Sequence, residues 1–239
     1  MGEQSGQDDV VDNKAYLRAH YQRTRKKIAE TLAPLGVEDT KREEQHAVSL
    51  LTARQFRAES RARRDLLTGL PNRREFMERM QAGLDQLRRS RAKQVVVMLL
   101  DLDGFKNVND TLGHEAGNAV LKEVAVFLSS SIRSYDVASR IGGDEFGVLQ
   151  LNGEEEFAHQ VSQRIQRGLQ EKSASVPGLG LIHPSIGVAR IGLSDVAIDP
   201  EKLLDRADMA MYHAKIIQSG GKVAFWHPGM VKPPGATSR

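Results

Sequence analysis

The chain contains no cysteine, which excludes a disulfide framework and thiolate chemistry and makes a reducing compartment, the cytoplasm, the expectation. Long apolar runs are missing too. The longest, VVVMLL at residues 95–100, falls far short of the roughly 20 residues needed to cross a bilayer. The opening MGEQSGQDDVVDN has neither the basic start nor the apolar middle of a secretory leader. No membrane partner is expected. Aromatic residues make up 5% of the 239 and do not interleave with the basic residues of segment 54–93, where twelve Lys/Arg face five Asp/Glu. Without stacking platforms, that excess reads as a solvated helix face rather than a nucleic-acid surface. With 40% hydrophobic and 27% charged residues and a net charge of +3, the chain has the make-up of a globular protein with one core and an appendage.

Residues 14–32 set Leu17, Tyr21, Ile28 and Leu32 near one helical face, closed by Pro34 and Gly36. Thr40 with Glu43 three residues on reads as a capping box opening a second helix to about Arg64. Residues 1–64 are thus expected to form a helical module too small to bury a core alone, which pairing with a second copy would cure. A compact domain is expected over 65–226. It starts with a turn at Thr68–Asn72 and a helix over 73–90, followed by VVVMLLD, which reads as a buried strand ending at Asp101. Next come helical segments over 104–112 and 117–133, strands over 136–141 and 146–151 joined by a Gly-Gly-Asp-Glu turn, and a helix over 154–171. A strand over 184–191, a helix over 200–217 opened by Asp199-Pro200 and a last strand KVAFW complete it. The fold class is α/β, a mixed or antiparallel sheet with helices over its faces, and the Pro/Gly-rich residues 227–239 read as a disordered tail.

Two segments carry chemistry. DLDGFKNVND, residues 101–110, fails as a calcium loop, because Phe105, Lys106 and Leu112 stand where a ligand, a glycine and a glutamate are required. It offers a carboxylate at a strand end, Asp101, beside the free amides of Gly104 to Lys106 at a helix start. That pairing suits Mg²⁺ and a nucleoside triphosphate; equally, Asp101 and Asp103 are able simply to cap the helix. The hairpin GGDE, residues 142–145, reads either as a tight turn or as a place where a bare backbone lets a ligand approach and Asp144 shares a metal with Asp101.

The segments DLLTGLPNRR, DLDGFKNVNDTLGHEAGN, RIGGDEF, SIGVA and LLDRADMAMYHAK, in that order, resemble the GGDEF domain of diguanylate cyclases over about residues 65–226. The resemblance implies a fold like the palm of nucleotide cyclases and polymerases, and condensation of two GTP into cyclic di-GMP with release of pyrophosphate between two facing domains of a homodimer. It implies Mg²⁺ or Mn²⁺ on Asp101, Asp144 and the carbonyl of Leu102, and a 3′-hydroxyl activated at Asp144 or Glu145. Gly104, Phe105 and Lys106 correspond to the phosphate turn, Gly142 and Gly143 to the hairpin against substrate, Asn109 and Asn118 to the base site, and Lys215 to a lysine on the terminal phosphate. RSYD corresponds to an inhibitory product site through Arg133 and Asp136, with Arg164 as a second arginine.

The sequence departs from the family pattern at two places. The position after Gly117 is Asn118 where the family has Asp; an amide offers one donor and one acceptor and suits adenine as well as guanine, so a hybrid cyclase joining GTP to ATP is the alternative reading. The basic residue after Lys215 is delayed to Lys222. A non-catalytic receptor for cyclic di-GMP is the remaining rival, opposed by intact Asp101, Asp144 and Glu145.

Overall fold

The computed structural model describes residues 62–153, 155–195, 197–217 and 223–231, with isolated helical positions at 22, 23, 26, 30 and 54. The chain divides into two units, Met1–Ala62 and Arg63–Arg239, and the elements below belong to the second. The capping box at Thr40 and the helical face from Leu17 to Leu32 lie outside the described residues.

Asn72, the last residue of the expected turn, caps α1 (Arg73–Arg88), its side chain accepting from the Glu75 amide at 3.2 Å. Strand β1 (Gln94–Asp103) is buried along almost its whole length. Because successive side chains point to opposite faces, Val95, Val97 and Leu99 join a core with Phe76, Met80, Leu84 and Leu87 of α1. Val96, Met98, Leu100 and Leu102 enter a second core on the other face. That continuous apolar run is what a strand covered on both sides requires.

Short helix α2 (Phe105–Leu112) and long helix α3 (His114–Ser131) meet at Gly113, whose φ of 84° turns the chain between them. This direct junction starts α3 three residues before the expected 117. A hairpin of β2 (Val137–Arg140) and β3 (Glu145–Leu151) is followed by α4 (Glu155–Glu171). Strand β4 (His183–Gly192), helix α5 (Pro200–Ile217) and strand β5 (Val223–Phe225) complete the domain. Asp199 caps α5, accepting from the Lys202 amide at 2.8 Å.

The sheet order is β2-β3-β1-β4-β5. Pairing is antiparallel except between β4 and β5, so the sheet is mixed. Helices α1 and α5 cover one face, where Leu203, Ala207 and Met211 of α5 share the core of Val95 and Val97. The opposite face carries α2, α3 and α4 through Val108, Val124, Leu128 and Ile165. Strand β1 runs two residues past the expected end because β4 continues alongside it, pairing Leu102 with Pro184 and Asp103 with His183. Beyond β5, the Val231 carbonyl lies 3.1 Å from Nε2 of His213 on α5; residues 232–239 fall outside the described set.

At Gly187 helix α5 is seated on β4 without an intervening side chain. A Cβ on Gly187 would stand 2.1 Å from the Ala207 carbonyl oxygen and 2.1 Å from the Met211 amide nitrogen, and backbone cannot step aside as a flexible side chain can. Gly187→Ala is therefore expected to destabilise the domain by about 3 kcal/mol or more, read as a fall in the thermal unfolding midpoint. Gly143→Ala, where nothing lies within 4 Å of the added carbon, serves as the control.

Candidate active site

The parity of β1 decides where its terminal acids go. Asp101 and Asp103 share the face of Val95, Val97 and Leu99, the side covered by α5, and there they meet Lys215 near that helix's end. Its Nζ donates to Asp101 Oδ1 at 2.8 Å and Oδ2 at 2.7 Å, and lies 3.6 Å from Asp103 Oδ1. Asp101 is only 3% exposed. On the neighbouring strand Ser185, fully buried and in register with Asp101, donates its hydroxyl to Asp103 Oδ2.

Asp101 and Asp103 do not cap the helix that follows. Helix α2 starts at Gly104, held at φ 89° with no side-chain cap; its missing Cβ would fall 2.4 Å from the Leu181 carbonyl oxygen, so glycine is required there for both reasons. Phe105 packs against the core of Met98 and Leu100 and Lys106 is exposed, which leaves the first-turn amides open beside Asp101.

Across β1, Glu145 stands in register with Asp101, and the hairpin acid Asp144 is close enough for its charge to act on both Asp101 and Lys215. The hairpin closes through bonds from the Ile141 and Gly142 amides to the Glu145 carbonyl, at 2.9 and 3.4 Å. Neither Gly142 nor Gly143 has a left-handed backbone. The turn alone does not demand glycine at these two positions, and Gly143 has open space where a side chain would be.

Burial pushes the Asp101 carboxyl up to about 6, against the pull of the Lys215 ammonium, and the charges of Asp144 and Asp103 push it further the same way. Burial alone would lower Lys215, but its contacts with Asp101, together with the nearby Asp103 and Asp144 charges, outweigh this and raise it. At neutral pH the pair is an ionised carboxylate held by an ammonium. Among the described residues no group of three or more His, Cys, Asp or Glu side chains is arranged to hold a metal ion. The donor set nonetheless fits Mg²⁺, which takes hard oxygens and is commonly held by one or two carboxylates together with substrate phosphate. A positive charge already sits at Asp101 in the form of the lysine.

At the α2–α3 junction Asn109 lies against Gly117, the residue before Asn118. A Cβ on Gly117 would lie 2.0 Å from Asn109 Oδ1, so the bare glycine makes room for the half-buried amide, while Asn118 is exposed. Lys222 lies outside the described residues.

Arg133, Asp136 and Arg164 form a separate cluster at the far end of the β2–β3 hairpin. Arg133 stacks 4.7 Å from the Phe157 ring centre and donates to the Tyr135 hydroxyl at 2.9 Å. Asp136 points inward, accepting from the Arg133 amide at 3.1 Å and the Gln150 side chain at 2.8 Å. Burial raises its carboxyl despite these two bonds. Arg164 donates to the Ser131 carbonyl at 3.4 Å, two residues before Arg133.

Sequence reasoning missed three contributors. Ser185 lay inside the quoted SIGVA segment, but an interior strand serine carries no periodic signal. Asp65 and Arg140 also lay in quoted motifs without a role: Arg140 donates to both Asp65 oxygens at 3.1 and 3.2 Å and to the Gly143 carbonyl at 3.0 and 2.6 Å. One guanidinium thus ties the entry turn of the domain to the hairpin.

Lys215→Met leaves Asp101 buried without its ammonium. Below about pH 5 the acid is able to protonate, whereas at pH 8 it must either ionise unpaired or hold a proton against solution. The loss of stability relative to wild type is therefore expected to grow between pH 5 and pH 8, reaching about 3 kcal/mol at the upper end; denaturant unfolding at the two pH values checks it.

A family model described as the diguanylate cyclase GGDEF domain matches residues 62–220. The cyclic di-GMP phosphodiesterase NbdA of Pseudomonas aeruginosa is 40% identical over 157 residues, covering 64% of this chain and 19% of NbdA. Diguanylate cyclase A of Treponema denticola is 35% identical over 156 residues, 63% of this chain and 41% of that protein. The chain therefore spans well under half of these curated relatives. Among solved structures, the GGDEF domain of DgcB from Caulobacter crescentus in complex with c-di-GMP superposes with a TM-score of 0.61 at 25% identity, covering 69% of this chain and 95% of that one. With its acids, amides and lysine gathered at one strand end and its sequence matched across most of the domain, the chain belongs to the GGDEF family.

Proposed function

We propose that the chain is a diguanylate cyclase that condenses two GTP into cyclic di-GMP and two pyrophosphates, working as a homodimer and restrained by its own product. The observation that carries this reading is the convergence of Asp101, Asp144 and Lys215 beside the uncapped first turn of α2. The 35% identity to a curated cyclase supports it.

In this reading Asp101, Asp144 and the Leu102 carbonyl hold Mg²⁺ or Mn²⁺, which neutralises charge on the α-phosphate during transfer. Amides at Gly104 to Lys106 take phosphate oxygens, and Lys215, with Lys222 after it in the chain, takes the terminal phosphate. Asp144 or Glu145 receives the proton of the attacking 3′-hydroxyl. Gly142 and Gly143 let substrate lie against bare backbone. Each domain binds one nucleotide, so two must face each other; residues 1–64 are the module proposed to bring them together. Arg133 and Arg164 offer planar donor forks to product phosphate or guanine, with Asp136 shaping the turn that presents Arg133.

A second reading rests on Asn118, exposed on α3 next to Gly117, which packs against Asn109. Its amide serves adenine as well as guanine, so the enzyme would join GTP to ATP. Purified protein with Mg²⁺ is given GTP, ATP or an equal mixture, and products are resolved by mass spectrometry. Cyclic di-GMP is expected to dominate the mixture; a dominant mixed dinucleotide establishes the hybrid reading, and no product under any condition overturns both. Asp144→Asn is expected to lower turnover about a hundredfold or more, measured with GTP at saturation. Arg133→Ala is expected to raise the product concentration giving half-inhibition by about tenfold or more, measured by adding cyclic di-GMP to initial-rate assays.

A further inference from the structure

We propose that Lys215 is a built-in counter-ion of Asp101 that a divalent cation must displace, and that Asp103 receives the ammonium when it leaves. The inference rests on the reading of Asp101 as a metal carboxylate. Both Asp101 oxygens are already engaged, at 2.7 and 2.8 Å from Nζ. Divalent ions with hard oxygen ligands approach closer than that, and two positive charges sharing one buried carboxylate repel strongly at low dielectric.

The receiving group is next door. Asp103 Oδ1 stands 3.6 Å from the ammonium, short of a hydrogen bond, while its other oxygen accepts from the buried Ser185 hydroxyl. Ser185 thereby fixes the carboxylate with one oxygen presented to Lys215. A shift of the lysine tip completes the transfer without moving α5, whose backbone is seated against β4 at Gly187.

Two energetic consequences follow. Without nucleotide, the cation competes against an intact ion pair, which weakens its binding. With a triphosphate present, the displaced ammonium gains a further anionic partner, so cation and nucleotide reinforce each other, and the same factor must appear in both affinities.

The test uses the full chain and Mn²⁺ as probe, with free ion followed by electron paramagnetic resonance in the absence of nucleotide. Lys215→Met is expected to bind Mn²⁺ about tenfold more tightly than wild type, a difference of about 1.4 kcal/mol, and Asp101→Asn to lose binding. Unchanged or weaker Mn²⁺ affinity in Lys215→Met, with binding still lost in Asp101→Asn, overturns the exchange while leaving the metal reading standing. Wild-type binding retained in Asp101→Asn overturns both. A measurement on the unmodified protein decides the matter if Lys215→Met does not fold. Saturating Mn²⁺ is expected to raise the acylation rate of the Lys215 amine about threefold, since the amine gives up its two hydrogen bonds to Asp101 for the contact at Asp103. Unaltered labelling at saturation overturns the exchange.

Discussion

Strand β1 must be apolar on both faces to sit at the middle of a covered sheet, and yet it ends in two acids. That constraint organises the domain. Alternation sends Asp101 and Asp103 toward α5, where burial makes a bare carboxylate costly and an ammonium is needed to hold it. The same register sets Ser185 on one flank and Glu145 on the other. The chemistry is thus assembled by strand pairing before any loop contributes.

Much of this was legible because burial leaves a pattern. A strand covered on both sides writes an unbroken apolar run, and VVVMLL could be placed without knowledge of its neighbours. Asp101 followed as the first polar residue after it, and the hairpin acids were marked by the Gly-Gly dipeptide. The helix starts after the Thr68–Asn72 turn and at Asp199-Pro200 were equally readable, since both are marked by residues next to them in the chain.

What could not be read depends on distant partners. Lys215 is 114 residues from Asp101, and no local rule links them; the family resemblance assigned it to a phosphate, not to the carboxylate it holds here. The suggestion that Asp103 caps α2 failed because β4 draws β1 two residues further and Ser185 claims one of the oxygens. At the RSYD segment the residues were marked but their arrangement was not. Asp136 turns inward to Gln150, and Arg133 lies on Phe157 rather than against the acid.

The seat of α5 on Gly187 has a bearing on how the site withstands sequence change. Most helices rest on a sheet through side chains, so their height varies with the volume of whatever lies between. Here main chain abuts main chain, and the spacing is set by atoms common to every residue. Drift in the size of surrounding core residues has little purchase on that height. The lysine at the end of the helix therefore keeps its reach to the strand acids while the rest of the core is free to vary.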